Sequence, residues 1–170
     1  GINIKFLTKK FNTPLYCYSY KSLRENIENF KKAFKEIKPL VCFSVKSNSN
    51  ISLLKEIKKL DVGADVVSKG ELYASLKAGI NKNKIVFSGV GKTKDEIEYA
   101  IKQKILLINS ESLSEVLAIE KAAKKLNKVV NIGLRLNPDT DAETLKQIST
   151  GKSENKFGVD KKTFVKIINL

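Results

Sequence analysis

Short runs of apolar residues alternate with longer amphipathic segments along most of the chain. Each apolar run predicts a strand, and the segment after it has the spacing of an amphipathic helix. The predicted strands end near Lys46, Ser68, Ser88, Asn109 and Asn137. Because these runs are continuous rather than alternating, they are typical of parallel strands that are covered on both faces.

The strand and helix repeat every ~20–23 residues, a spacing that suits a (β/α)8 barrel. A complete barrel of this type takes about 250 residues, whereas this sequence has 170. We therefore predict an α/β fold with about five of the eight barrel strands. Residues 1–170 are expected to form one partial barrel domain.

Two segments fall outside this repeat. Residues 14–19 are apolar enough to predict a strand, either of the barrel or of a neighbouring β-domain. Ser22 with Glu25 predicts a capping box for the helix that follows. Residues 139–158 are polar and aperiodic, which predicts a long loop, and we expect residues 145–158 to cover the substrate as a lid.

The formal net charge of +14 raises the question of nucleic-acid binding. Only Arg24 and Arg135 among the 32 basic residues are arginines, and the lysines are spread along the chain. Nucleic-acid sites tend to cluster such residues on one face, so we expect a solvated surface and no nucleic-acid partner.

No apolar stretch approaches the ~20 residues of a membrane span, and no signal peptide is visible. A cytoplasmic protein with no membrane partner and with buried, reduced Cys17 and Cys42 is expected.

The sequence contains no histidine, which excludes Ser/His/Asp and Cys/His catalysis and His-based zinc sites within it. No metal site is expected. Gly91-Lys92-Thr93 is similar to the end of a phosphate loop, but Val86 stands where the first glycine is required.

Lys46 is the leading catalytic candidate, because it follows an apolar strand and barrel enzymes place catalytic residues at strand C-termini. Beside Val45 and Phe43 we expect its amine to be partly shielded from water and able to act as a nucleophile. A solvated surface charge is the alternative.

Motifs in order along nearly the whole chain resemble those of the alanine-racemase-fold decarboxylases. Phe43-Ser44-Val45-Lys46-Ser47-Asn48 carries the lysine, and further matches lie at residues 13–18, 64–72, 87–93, 109–112, 134–139, 148–151 and 156–158. Residues 137–142 and 148–151 resemble diaminopimelate decarboxylases more than ornithine or arginine decarboxylases. Leu145 departs from the pattern, because that family usually has a histidine there.

The resemblance implies a pyridoxal-phosphate-binding barrel of the alanine-racemase type, with the rest of the barrel and a β-domain lying beyond Leu170. It implies decarboxylation of meso-2,6-diaminopimelate to L-lysine, the last step of lysine biosynthesis, by a homodimer acting on a small-molecule amino acid. The present residues alone are expected to be inactive. The alternatives are a related ornithine or arginine decarboxylase and a non-catalytic pyridoxal-phosphate-binding barrel.

The resemblance also suggests roles for three residues. Lys46 matches the lysine that carries the cofactor, Asp65 matches an acidic residue of the cofactor pocket, and Arg135 matches a basic residue facing the same pocket. The alternative for Asp65 is a carboxylate at the start of the next helix, and for Arg135 a structural ion pair. Glu71 is expected to be a carboxylate of the first helical turn.

Overall fold

The computed structural model describes residues 2–140 and 157–169. The chain divides into two compact units, Gly1–Pro39 and Leu40–Leu170. The first unit contains helices α1 (Ile4–Phe11) and α2 (Tyr20–Ala33). Each begins at a polar cap, since Asn3 Oδ1 accepts a hydrogen bond from the Lys5 amide at 2.8 Å and Ser19 Oγ accepts one from the Ser22 amide at 3.2 Å.

Three predictions for the first unit are wrong. Residues 14–19 form no strand, and the side chain of Tyr16 is 85% exposed. A strand needs a neighbouring strand to hydrogen-bond with, and no described residue provides one there. The helix is capped by Ser19 rather than by a box at Ser22 and Glu25. Cys17 is exposed rather than buried, and Cys42 is half-buried.

The second unit is built on a five-stranded parallel sheet in which each strand pairs with the next along the chain. The strands are β1 (Cys42–Ser44), β2 (Gly63–Val66), β3 (Ile85–Phe87), β4 (Leu107–Ser110) and β5 (Ile132–Leu134). The helices are α3 (Ile51–Lys59), α4 (Lys69–Lys77), α5 (Lys94–Gln103), α6 (Leu113–Leu126) and α7 (Lys161–Ile168). This order confirms the predicted α/β barrel strands, which do not close into a barrel within the described residues.

Successive residues of the strands alternate between two faces of the sheet. One face is packed into the core, where Ala64, Val66, Ile85, Phe87 and Ile108 are each completely buried. Helical side chains are buried in the same core, among them Leu54, Leu72 and Ile97. The other face is only half-buried and carries most of the polar strand residues.

Helices α3 to α6 each follow one of the strands β1 to β4, as the predicted repeat of strand and helix requires. Helix α5 begins with the capping box that the spacing of Thr93 and Glu96 indicates, because Thr93 Oγ1 accepts from the Glu96 amide and Glu96 Oε2 accepts from the Thr93 amide. No helix in the described part of the chain has the length and apolar character needed to cross a membrane. The predicted lid and Leu145 lie outside the described residues, apart from Phe157 and Gly158 at its end.

Candidate functional site

A cavity of about 620 Å³ lies at the carboxyl ends of the strands, on the half-buried face. Lys46, Asp65 and Arg135 all line it, together with Ser88, Asn109 and Glu111. The structure therefore brings the three predicted site residues to one place, and their roles there remain predictions. A cavity of about 670 Å³ lies at the opposite ends of the strands; Lys104 and Lys128 line it, and none of the described residues around it is a carboxylate.

Lys46 lies in a single 3₁₀ turn, Val45–Ser47, that directly follows β1. Val45 is completely buried and anchors the turn, whereas the side chain of Lys46 is exposed. Residues 40–140 and 157–169 therefore do not provide the expected shielding of Lys46. Within those residues the amine of Lys46 has no hydrogen-bond or ion-pair partner.

Asp65 is the next-to-last residue of β2 and is half-buried at the cavity. The Ser88 hydroxyl donates to Asp65 Oδ1 at 2.6 Å, and Asn109 Nδ2 donates to Ser88 Oγ at 3.1 Å. The alternative helix-capping role of Asp65 is wrong, because Ser68 caps α4. Glu71 is confirmed as the first-turn carboxylate, since its Oε2 accepts from the Val67 amide at 2.9 Å.

Arg135 follows β5 and is held on two sides. Its Nη1 donates to Glu111 Oε1 at 3.2 Å, and its guanidinium carbon lies 4.8 Å from the centre of the Phe157 ring. The Arg135 side chain is 40% exposed while that of Glu111 is 3% exposed. Glu111 Oε2 also accepts from the Gly158 amide at 2.9 Å. The ion pair that was the alternative for Arg135 is thus present, and it holds the guanidinium at the cavity.

Lys92 lies beside the cavity and supports residues that line it, a role that the sequence did not reveal. Its side chain is 1% exposed, and its amine donates to the carbonyls of Gly89 and Asn109 at 2.7 and 2.6 Å and to Glu115 Oε1 at 2.6 Å. Glu115 Oε2 in turn accepts from the Glu111 amide at 3.0 Å. A buried charge needs this number of partners to be tolerated, so Lys92 ties the ends of β3 and β4 together.

Glu111 and Ser88 were also missed as contacts of the predicted site. Both come directly after an apolar strand, which is the position where barrel enzymes carry functional groups. Their strand-end position could have marked Glu111 and Ser88 as candidates, but it does not indicate which neighbouring side chain each of them contacts. In the part of the chain that is described, no group of three potential metal ligands comes together.

Three comparisons bear on this site. Residues 20–169 match the model of the pyridoxal-binding domain of pyridoxal-dependent decarboxylases. The chain is 48% identical over 159 residues to the diaminopimelate decarboxylase of Campylobacter jejuni, a match that covers 94% of this chain and 40% of that protein.

Two solved structures show the same arrangement of elements. The diaminopimelate decarboxylase of Helicobacter pylori, crystallised with L-lysine, has a TM-score of 0.94 and 45% identity over 97% of this chain and 42% of that chain. The M. jannaschii diaminopimelate decarboxylase, also with L-lysine, has a TM-score of 0.89 and 37% identity over 96% and 40%. The chain thus spans about two fifths of the length of these relatives.

Proposed function

The chain belongs to the pyridoxal-dependent decarboxylases, and from this premise we propose that the whole protein decarboxylates meso-2,6-diaminopimelate to L-lysine. One observation supports this most strongly: the amine of Lys46, which has no partner among the described residues, lies at the same cavity as Asp65 and Arg135. The similar proteins described above carry that activity in their names, and the solved structures hold L-lysine.

The residues at the cavity fit pyridoxal phosphate. The cavity volume of about 620 Å³ lies within the range of roughly 300–1,000 Å³ that is typical of small-molecule sites. The cofactor has an aldehyde, which an amine can bind covalently, and polar ring substituents that suit a carboxylate and a cation. We propose that Lys46 holds the aldehyde carbon and that Asp65 and Arg135 bind the ring or its substituents.

When bound, pyridoxal phosphate supplies an electron sink for the negative charge left by the departing carbon dioxide. The chain's part is to bind and orient. No described group occupies the amine of Lys46, which leaves it available to the cofactor, whereas a guanidinium is a poor nucleophile, so Arg135 cannot replace it. Glu111 and Phe157 hold Arg135 in place.

The proposal extends to the remainder of the protein. Residues 1–170 would be part of one pyridoxal-phosphate-binding barrel domain in a longer chain, which the 40% coverage of the relatives supports. We propose a homodimer in the cytoplasm, on the strength of the family resemblance. The spread of the lysines supports the proposal that the protein has no nucleic-acid partner, and we propose that it has no membrane partner either.

A substrate panel tests the activity. Purified full-length protein with added pyridoxal phosphate would be given meso-diaminopimelate, L-ornithine and L-arginine separately, and carbon dioxide and the amine product measured. We expect carbon dioxide and L-lysine from diaminopimelate and at least ~100-fold slower release from the other two, because a site built for one polar group rejects analogues that lack it. Faster turnover of ornithine or arginine would instead support the related-decarboxylase alternative.

Matched variants separate catalysis from binding. Lys46→Arg should abolish carbon dioxide release, and Lys69→Arg, the same substitution at an exposed lysine of α4, should leave it within about twofold, as for surface changes away from special features. A protein that binds pyridoxal phosphate but releases carbon dioxide from none of the three amino acids would be the non-catalytic barrel, and the proposed function would be wrong.

A further inference from the structure

We propose that Ser88 and Asn109 are positioning residues, which form a hydrogen-bond relay that holds the Asp65 carboxylate in one orientation at the cavity. The inference rests on the proposed function, because it assigns a purpose to the orientation of Asp65, namely contact with the cofactor. Neither residue is assigned a role by the motifs that suggested Lys46, Asp65 and Arg135.

The relay crosses the ends of three adjacent strands. Asn109 Nδ2 donates to Ser88 Oγ at 3.1 Å, so one lone pair of the hydroxyl is occupied. The hydroxyl hydrogen is therefore directed to Asp65 Oδ1, which lies 2.6 Å away. Hydrogen bonds to charged acceptors at such distances are among the strong ones in proteins. The second carboxylate oxygen of Asp65 has no hydrogen-bond partner among residues 2–140 and 157–169.

The far end of the relay is also held. Asn109 pairs with Gly133 across β4 and β5, and a Cβ atom at position 133 would collide with Asn109 Oδ1. The side-chain amide of Asn109 can occupy this space because Gly133 has no side chain. The backbone carbonyl of Asn109 accepts from the buried Lys92 amine at 2.6 Å, so both the backbone and the side chain of Asn109 are fixed.

A packing role alone does not account for these residues. Ser88, Asn109 and Asp65 are all half-buried and line the cavity, where water could satisfy each of them separately. Instead they form one chain of hydrogen bonds, in which Asn109 donates to Ser88 and Ser88 donates to the Asp65 carboxylate. An oriented carboxylate loses less conformational entropy when a ligand binds, which is the general advantage of preorganisation.

The test is a double-mutant cycle on cofactor affinity, measured with the full-length apoprotein by titration with pyridoxal phosphate. Ser88→Ala should weaken binding about tenfold, which is the size expected for one hydrogen bond to a charged group. Ser88→Thr keeps the hydroxyl and should stay within about twofold of the parent. In an Asp65→Ala background, Ser88→Ala should change affinity by less than about twofold, because there is no carboxylate left to position.

The outcomes distinguish the inference from the proposed function. If the parent does not bind pyridoxal phosphate, the proposed function is wrong and the relay fails with it. If the parent binds but Ser88→Ala has no effect, or has the same tenfold effect in the Asp65→Ala background, only the relay is overturned. Should Ser88→Ala fail to fold, Ser88→Cys, a weak donor of similar shape, makes the same comparison.

Discussion

The Lys92 ammonium lies 2.6 Å from the Glu115 carboxylate, and the two side chains are only 1% and 9% exposed. This pair stands beside the cavity rather than in it. Through Glu115 it fixes the amide of Glu111, and through Glu111 it reaches Arg135. The orientation of the candidate cofactor-binding groups therefore depends on a buried charge that does not line their cavity.

Breaking this pair should destabilise the protein strongly. We expect Lys92→Met to lower the free energy of unfolding by about 3–5 kcal/mol, because the Glu115 charge is left buried without its partner. Adding Glu115→Gln should recover part of the loss, since it removes that charge and keeps the acceptor oxygen. Urea unfolding of the full-length protein measures both.

The exposed pair between Lys124 and Glu120 in α6 serves as the control, with the same 2.6 Å separation and a Lys124 side chain that is 75% exposed. Lys124→Met should cost less than about 1 kcal/mol, as exposed ion pairs do. If Lys92→Met proves no more destabilising than Lys124→Met, the buried pair does not have the role described here.

Gly133→Ala should be destabilising because of a clash with one named residue. The new methyl group would meet Asn109 Oδ1, and forcing an extra carbon into such a place costs about 1–3 kcal/mol. The loss should shrink in an Asn109→Ala background, where the obstacle is gone.

Gly70→Ala is the matched control for Gly133→Ala. The nearest atom to its new Cβ would be Ser68 Oγ at an ordinary 3.8 Å, and alanine at a helical position gains up to about 1 kcal/mol over glycine. Thermal unfolding of the variants compares them. If Gly133→Ala lowers the stability of the Asn109→Ala variant as much as that of the parent, the clash does not involve the Asn109 side chain.

The capping box of α5 makes the stability depend on pH. Burial alone would raise the pKa of Glu96, but hydrogen bonds from the backbone amides of Thr93 and Lys69 and from the Thr93 hydroxyl outweigh it and lower the pKa. A lowered folded-state pKa stabilises the protein above the unfolded value of about 4.3, and this contribution is lost as the pH falls through the folded value.

Glu96→Gln keeps an acceptor oxygen but removes the charge that strengthens these hydrogen bonds, so it should cost up to about 1 kcal/mol at neutral pH, as a charge near a helix N-terminus does. The difference from the parent should close as the pH falls below about 4. Unfolding curves at a series of pH values measure this difference. Asp95→Asn removes a charge from the same helical turn, and an equal effect of that substitution would show that net charge, not the cap, is responsible.

The strands and helices of the second unit could be predicted because the pattern that indicates each of them lies within its own segment of the sequence. Val66, Phe87 and Ile108 are completely buried, and such positions require apolar residues whatever lies beside them. The Thr93 cap and its partner Glu96 are three residues apart, so one short motif contains the whole interaction. The same applies to the strand-end position of Lys46.

Pairings between distant residues could not be predicted from the same patterns. Lys92 and Glu115 are 23 residues apart, as are Ser88 and Asp65, and no local period indicates which strand-end side chains will meet. Val86 already excludes a phosphate loop at Gly91-Lys92-Thr93, but nothing in that pattern indicates that the lysine turns inward to Glu115. Residues 14–19 have the composition of a strand, but composition does not supply the neighbouring strand.

The identity of the lysine that carries the cofactor tests the central claim most directly. Full-length protein would be incubated with pyridoxal phosphate, reduced with borohydride so that the cofactor stays covalently attached, digested, and analysed by mass spectrometry. We expect the added mass on the peptide that contains Lys46, and no such mass there in the Lys46→Arg variant. The attached cofactor on a different lysine in the parent, or none on any lysine, would contradict the account.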